Sequence, residues 1–113
     1  MSLVQPVALS SLTTMQVGGV PKSITRCVSA QELYEAAKAA WLSEEKHHIL
    51  AGGSNTVFAD DMSDWNIVLV ANTGIEVLHE TDETVTLRVQ AGESWDGLVA
   101  WCVERGYAGI EAM

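Results

Sequence analysis

The chain has 113 residues, 48% of them hydrophobic and 19% charged, a length and balance that suit one small globular domain and exclude a disordered or fibrous chain. Fifteen acidic residues against six Lys and Arg leave a net charge of -9, so the field repels nucleic-acid phosphates and anionic membranes, and a phosphorylated ligand has to be held largely by backbone N–H groups. No apolar stretch is long enough to span a bilayer and no signal peptide opens the chain, which predicts a cytoplasmic protein.

Residues 1–20 mix Ser, Thr and Pro with isolated apolar positions and read as an extended arm with a turn at Gly18-Gly19. Ser23 to Val28 reads as a short strand. Ser29 then has the chemistry of an N-cap and Glu32 completes a capping box. Leu33, Ala36, Ala37, Ala40 and Trp41 recur at helical spacing, which predicts a helix to about Leu42 with one face on a sheet. His48 to Ala51 is a short apolar run stopped by Gly52-Gly53, as a buried strand is before a tight loop.

Ile67 to Val70 predicts a strand covered on both faces. After a turn at Asn72-Thr73-Gly74, Ile75 to Glu80 and Thr84 to Ala91 form a hairpin around Thr81-Asp82-Glu83, its second strand wet on one side. Ser94 caps a second helix on which Trp95, Leu98, Val99 and Cys102 share a face, and Gly106 ends it. The expected class is α+β, or α/β, with a small mixed sheet of three or four strands and two helices. Cys27 and Cys102 stand far apart in no C-x-x-C pair, which suits reduced, mostly buried thiols. Gly109 to Met113 supplies no closing element, so the domain reads as interrupted there.

The segment richest in chemistry is Leu50-Ala51-Gly52-Gly53-Ser54-Asn55-Thr56. Two glycines let the backbone approach a ligand and turn successive N–H groups toward an anion, while Ser54, Asn55 and Thr56 add side-chain donors. No Lys follows, so this is not the G-x-x-x-x-G-K-[ST] loop, and it is not G-x-G-x-x-G opening a helix. Taken alone, the segment is equally a plain turn between two strands.

Its surroundings add a resemblance. Leu12-Thr13-Thr14-Met15-Gln16-Val17-Gly18-Gly19, Leu50-Ala51-Gly52-Gly53-Ser54-Asn55, Ala91-Gly92-Glu93 and Gly106-Tyr107-Ala108-Gly109-Ile110-Glu111 resemble, in order and spacing, four segments of the UDP-N-acetylenolpyruvoylglucosamine reductases. Departures are mild: Gly52 stands where several members carry Glu, Met15 where many carry Phe, and Ile110 where Leu is usual. The resemblance implies the first half of a vanillyl-alcohol-oxidase-type FAD-binding domain over residues 21–113. It implies that Ala51, Gly52, Gly53, Ser54, Asn55 and Thr56 bind the FAD pyrophosphate.

For the intact enzyme the resemblance implies NADPH as co-substrate, a nucleotide-sugar substrate, and reduction of UDP-N-acetylglucosamine enolpyruvate to UDP-N-acetylmuramate in bacterial peptidoglycan synthesis. The family's Ser proton donor, with its Glu and Arg helpers, lies in later segments, so no catalytic residue is carried over and the chain alone is expected to be inactive. Its expected partner is the remaining part of the same enzyme. Two other readings stay open: another FAD oxidoreductase of the superfamily, and a non-enzymatic stand-alone domain of this fold.

The other candidates have plainer explanations. Ser54 has no base at a nucleophile's spacing. His47-His48 lacks further ligands for a metal, and Asp60, Asp61 and Asp64 lack the Gly and Glu of a calcium loop. Glu93 suits the positive end of the second helix, and Trp41, Trp95 and Trp101 are expected in the core.

Overall fold

A computed structural model describes residues 1–112; the last residue of the expected domain, Met113, lies outside the described residues. Six strands and two α-helices follow in the order β1 (Ser2–Val4), β2 (Ser23–Cys27), α1 (Ala30–Leu42), β3 (Lys46–Leu50), β4 (Trp65–Val70), β5 (Ile75–Glu80), β6 (Val85–Val89) and α2 (Trp95–Glu104). The first four strands make a mixed sheet ordered β1-β2-β4-β3, and β5 and β6 pair separately. β2, β4 and β3 run parallel, in register Ile24↔Ile67 and His48↔Ile67, while β1 joins β2 antiparallel.

The central strand explains its own composition. Ile67 of β4 packs with Leu9, Ile24, Leu50, Phe58 and Met62 on one face, and Val68 packs with Cys27, Ala36 and Leu33 under α1 on the other. Successive side chains point to opposite faces of a strand, so a strand covered on both sides has to be apolar throughout. Full burial of each large aliphatic side chain contributes roughly 1.5–3 kcal/mol. The first face is roofed by the loop before β4 and by residues 1–20, which carry β1 and a 3-10 turn over Leu9–Leu12 as well as extended chain. Leu9 is fully buried there.

Both helices have the expected ends. Ser29 Oγ accepts from the Glu32 amide at 3.2 Å and Glu32 Oε2 accepts from the Val28 amide at 2.7 Å, a capping box reaching one residue further back than the cap itself. Ser94 Oγ accepts from the Gly97 amide at 3.2 Å. At the far end of α2, Gly106 adopts φ +75°, and the amides of Gly106 and Tyr107 donate to the carbonyls of Val103 and Cys102, the two bonds of a Schellman motif.

Trp41 and Trp95 correct the sequence expectation. Trp41 is 89% exposed and Trp95 44%. At 3.6 residues per turn Trp41 lies about 80° around the helix from Leu33, at the edge of the buried stripe. Trp95 is the first residue of α2, with the buried stripe beginning one turn later at Leu98. Trp101 is half-buried beneath the Arg105 guanidinium, 3.8 Å from its ring centre.

The molecule measures 52 × 29 × 20 Å with a radius of gyration of 16.5 Å, against about 13 Å for a compact domain of this length. The elongation comes from two lobes, sheet plus α1 and hairpin plus α2, joined by a short knot of hydrogen bonds. The Gly92 amide donates to the Asn72 carbonyl (2.9 Å), Asn72 Nδ2 to Gln90 Oε1 (2.8 Å) and the Gly74 amide to Glu93 Oε2 (2.7 Å). A Cβ on Gly92 would lie 2.6 Å from the Asn72 carbonyl oxygen, so only glycine permits that approach.

Candidate functional site

The loop after β3 and the turn after β4 leave the sheet at the same edge, since Leu50 pairs with Leu69 and Cys27 with Val70 in a parallel arrangement. The carboxyl edge of parallel strands is where open α/β sheets bind ligands, because loops there fan out over the strand ends. Residues 51–56 follow β3 directly. All the positions to which the resemblance assigns cofactor binding therefore sit on this edge.

Within the loop the two glycines differ in what they do. Gly53 is buried, takes φ +73°, and packs so tightly that a Cβ would come within 2.1 Å of the Leu12 carbonyl oxygen and 3.0 Å of Thr13 Cα. The Thr14 amide donates to the Gly53 carbonyl at 3.0 Å. Gly52 is exposed, with nothing within 4 Å of its would-be Cβ. Gly53 thus fixes the loop against the arm, and Gly52 leaves open space above the backbone.

What the loop offers a ligand is a set of unengaged donors. Among the described residues, none of the backbone N–H groups of residues 52–55 has an acceptor in the chain, Ser54 and Asn55 form a turn that brings the Thr56 amide back toward Gly53, and no side-chain partner engages Ser54, Asn55 or Thr56. Ser54 and Asn55 are exposed and Thr56 half-buried. The loop contains no ionisable group, so its attraction for an anion comes from backbone and side-chain dipoles, as the acidic composition requires. The arrangement fits a diphosphate, which takes many N–H and O–H donors at once. It contains no general acid, base or nucleophile.

Two buried oxygens beside this edge have no partner: Thr13 Oγ1, next to Gly53, and Asn72 Oδ1, in the turn after β4. Neither position carries a site assignment from the sequence. The Thr-Thr segment was the available signal for Thr13; the sequence marks Asn72 only as part of a turn.

The remaining candidates resolve into structural roles. His48 meets Phe58 edge-on, with ring centres 5.2 Å apart, and His47 Nδ1 lies 2.9 Å from the Glu45 carbonyl. Asp61 accepts from the Ser63 hydroxyl and amide, which holds its carboxyl below the usual range, and Lys46 does the same for Asp64 across a 2.8 Å ion pair. Among the described residues no group of three or more His, Cys, Asp and Glu could hold a metal ion. Glu93 ties the Gly74 turn to the start of α2. Cys27 and Cys102 are free thiols, both buried; burial, then the nearby Glu32 carboxylate, pushes the Cys27 thiol above its ordinary value.

The chain belongs to the FAD binding domain family, which it matches over residues 21–111. Over nearly its whole length it is also homologous to UDP-N-acetylenolpyruvoylglucosamine reductases. It is 41% identical over 111 residues to the protein of that name from Leifsonia xyli subsp. xyli, covering 98% of this chain and 29% of the relative. With that of Salinispora arenicola it shares 38% over 105 residues (93% and 29%), and with that of Mycolicibacterium smegmatis 35% over 111 residues (98% and 29%). The chain thus spans about 29% of the length of these relatives. Among the described residues no helix is long and apolar enough to cross a membrane.

Proposed function

We propose that residues Ala51, Gly52, Gly53, Ser54, Asn55 and Thr56 cradle the pyrophosphate of FAD, and that the chain is the N-terminal part of a cytoplasmic, NADPH-dependent reductase. That reductase converts UDP-N-acetylglucosamine enolpyruvate to UDP-N-acetylmuramate in peptidoglycan synthesis. The observation that carries the reading is the row of unengaged N–H groups over residues 52–55, pinned at the carboxyl edge by the Gly53 contact with Leu12 and Thr14. Identity of 35–41% with the three reductases supports the choice of reaction.

Bound FAD would supply the hydride chemistry between the nicotinamide and the substrate. The chain's own residues supply binding and orientation. Backbone N–H groups and the Ser54 and Thr56 hydroxyls would donate to the phosphate oxygens, Asn55 would add an amide, and Gly52 keeps the approach free of side chain. Proton delivery to the substrate belongs to residues beyond this segment, so the isolated chain has no turnover.

The test uses two preparations: the chain itself, and a chimera in which it replaces the matching segment of the Leifsonia xyli relative. Each is mixed with FAD, freed of excess cofactor by gel filtration and read for the visible flavin band. Flavin retained by either, and weakened by Ser54→Ala with Thr56→Ala at an unchanged unfolding midpoint, supports the cradle. A folded chimera that retains no flavin overturns it.

A further inference from the structure

We propose that Thr13 is a further cofactor-anchoring residue, its hydroxyl donating to a phosphate oxygen of the dinucleotide held by the neighbouring loop. The inference rests on the FAD reading above and extends it to a segment with no assigned role.

Three observations lead to it. Thr13 is 7% exposed, and its Oγ1 is buried with neither donor nor acceptor within reach. A buried hydroxyl without a partner destabilises the folded chain, because it gives up water and gains nothing. The same residue is held rigidly. Its carbonyl accepts from the Gln16 amide at 3.2 Å, closing a turn in which Gln16 takes φ +56°, and the next amide, that of Thr14, is bonded to Gly53. Finally, it stands against the residue on which the loop pivots, since its Cα lies 3.0 Å from where a Gly53 Cβ would be.

An orphaned hydroxyl locked beside a loop of unengaged N–H groups is a preorganised donor awaiting an acceptor. A phosphate oxygen is the acceptor that suits both the hydroxyl and the loop. Ser54 and Asn55 are exposed and their side chains unbonded, so the loop presents its donors to a diphosphate while its Gly53 end stays against the segment that carries Thr13. A purely structural threonine at this position would have its Oγ1 bonded to a backbone carbonyl, as Ser11 Oγ is to Ala8 at 2.7 Å.

The test compares Thr13→Val, which keeps the shape and removes the hydroxyl, with Thr13→Ser, which keeps the hydroxyl. It is run in whichever of the two preparations retains flavin. FAD dissociation constants come from flavin fluorescence titration, and unfolding midpoints are measured without FAD. We expect Thr13→Val to weaken FAD binding about 10-fold or more, as for loss of one charge-assisted hydrogen bond, with a cofactor-free midpoint equal to wild type or higher. Thr13→Ser should stay within about 3-fold of wild type. Equal FAD affinity for wild type and Thr13→Val overturns the inference, as does a Val variant that loses cofactor-free stability while binding FAD normally, the pattern of a hydroxyl satisfied by trapped water. A folded wild-type protein that binds no FAD overturns the loop reading itself.

Discussion

The Thr14 amide donates to the Gly53 carbonyl at 3.0 Å, and the arm of residues 1–20 lies so close to the loop of residues 51–56 that no Cβ fits on Gly53. The positive φ of Gly53 adds to the steric requirement. Gly53→Ala should therefore destabilise the chain by about 2–4 kcal/mol. Gly52→Ala, with open space around it and no positive φ, should leave stability within about 0.5 kcal/mol. Urea unfolding of the two variants beside wild type checks the pair, and equal effects would contradict the division of labour between the glycines.

Glu32 joins the start of α1 to the start of the chain. Its carboxylate accepts from the N-terminal ammonium of Met1 at 2.6 Å and from the Val28 amide, and these bonds, the ammonium first, hold it below the ordinary glutamate value of 4.5. A carboxylate lowered on folding stabilises the native state above its unfolded pKa, and the contribution fades as pH falls through the lowered folded value. Glu32→Gln should thus be less stable than wild type at neutral pH, with the difference shrinking once pH drops below about 4.5. Thermal unfolding of both proteins across that range provides the measurement. A gap that widened in acid would carry the wrong sign.

Cys27 and Cys102 are 0% and 3% exposed and free. Burial slows attack on a thiol, and the raised Cys27 value lowers the thiolate fraction further. A chromogenic disulfide reagent should react with neither thiol in the native protein at mildly alkaline pH and with both in denaturant. Fast reaction of Cys27 in the native state would show that the α1 end of the sheet opens readily.

Trp41 and Leu42 project from the last turn of α1, 89% and 73% exposed. Substituting Trp41→Lys removes an apolar side chain with little packing to lose, so the unfolding midpoint should change by less than about 0.5 kcal/mol in equivalent stability while self-association falls. Sedimentation velocity and a melting curve, taken together, separate this outcome from a core role, in which stability would fall by several kcal/mol.

Apart from β1 and the 3-10 turn of Leu9–Leu12, which the sequence hides in an extended arm, the elements were legible because they rest on local rules. The cap at Ser29, the breaks at Gly53 and Gly106, the uniform apolar run of β4 and the turn at Thr81 each follow from backbone chemistry within a few residues, and the loop over residues 51–56 was marked by its donors and glycines. Long-range packing decided the rest. Residues 1–20 read as an extended arm because their apolar positions have no period, yet Leu9 is sealed in the core by strands far along the chain. Trp41 carried the spacing of a buried residue but falls at the edge of the stripe that meets the sheet, and is exposed. Thr13 and Asn72 illustrate the same limit at the site: side-chain type announces a donor or an acceptor, but whether that atom finds a partner depends on which backbone the fold brings beside it.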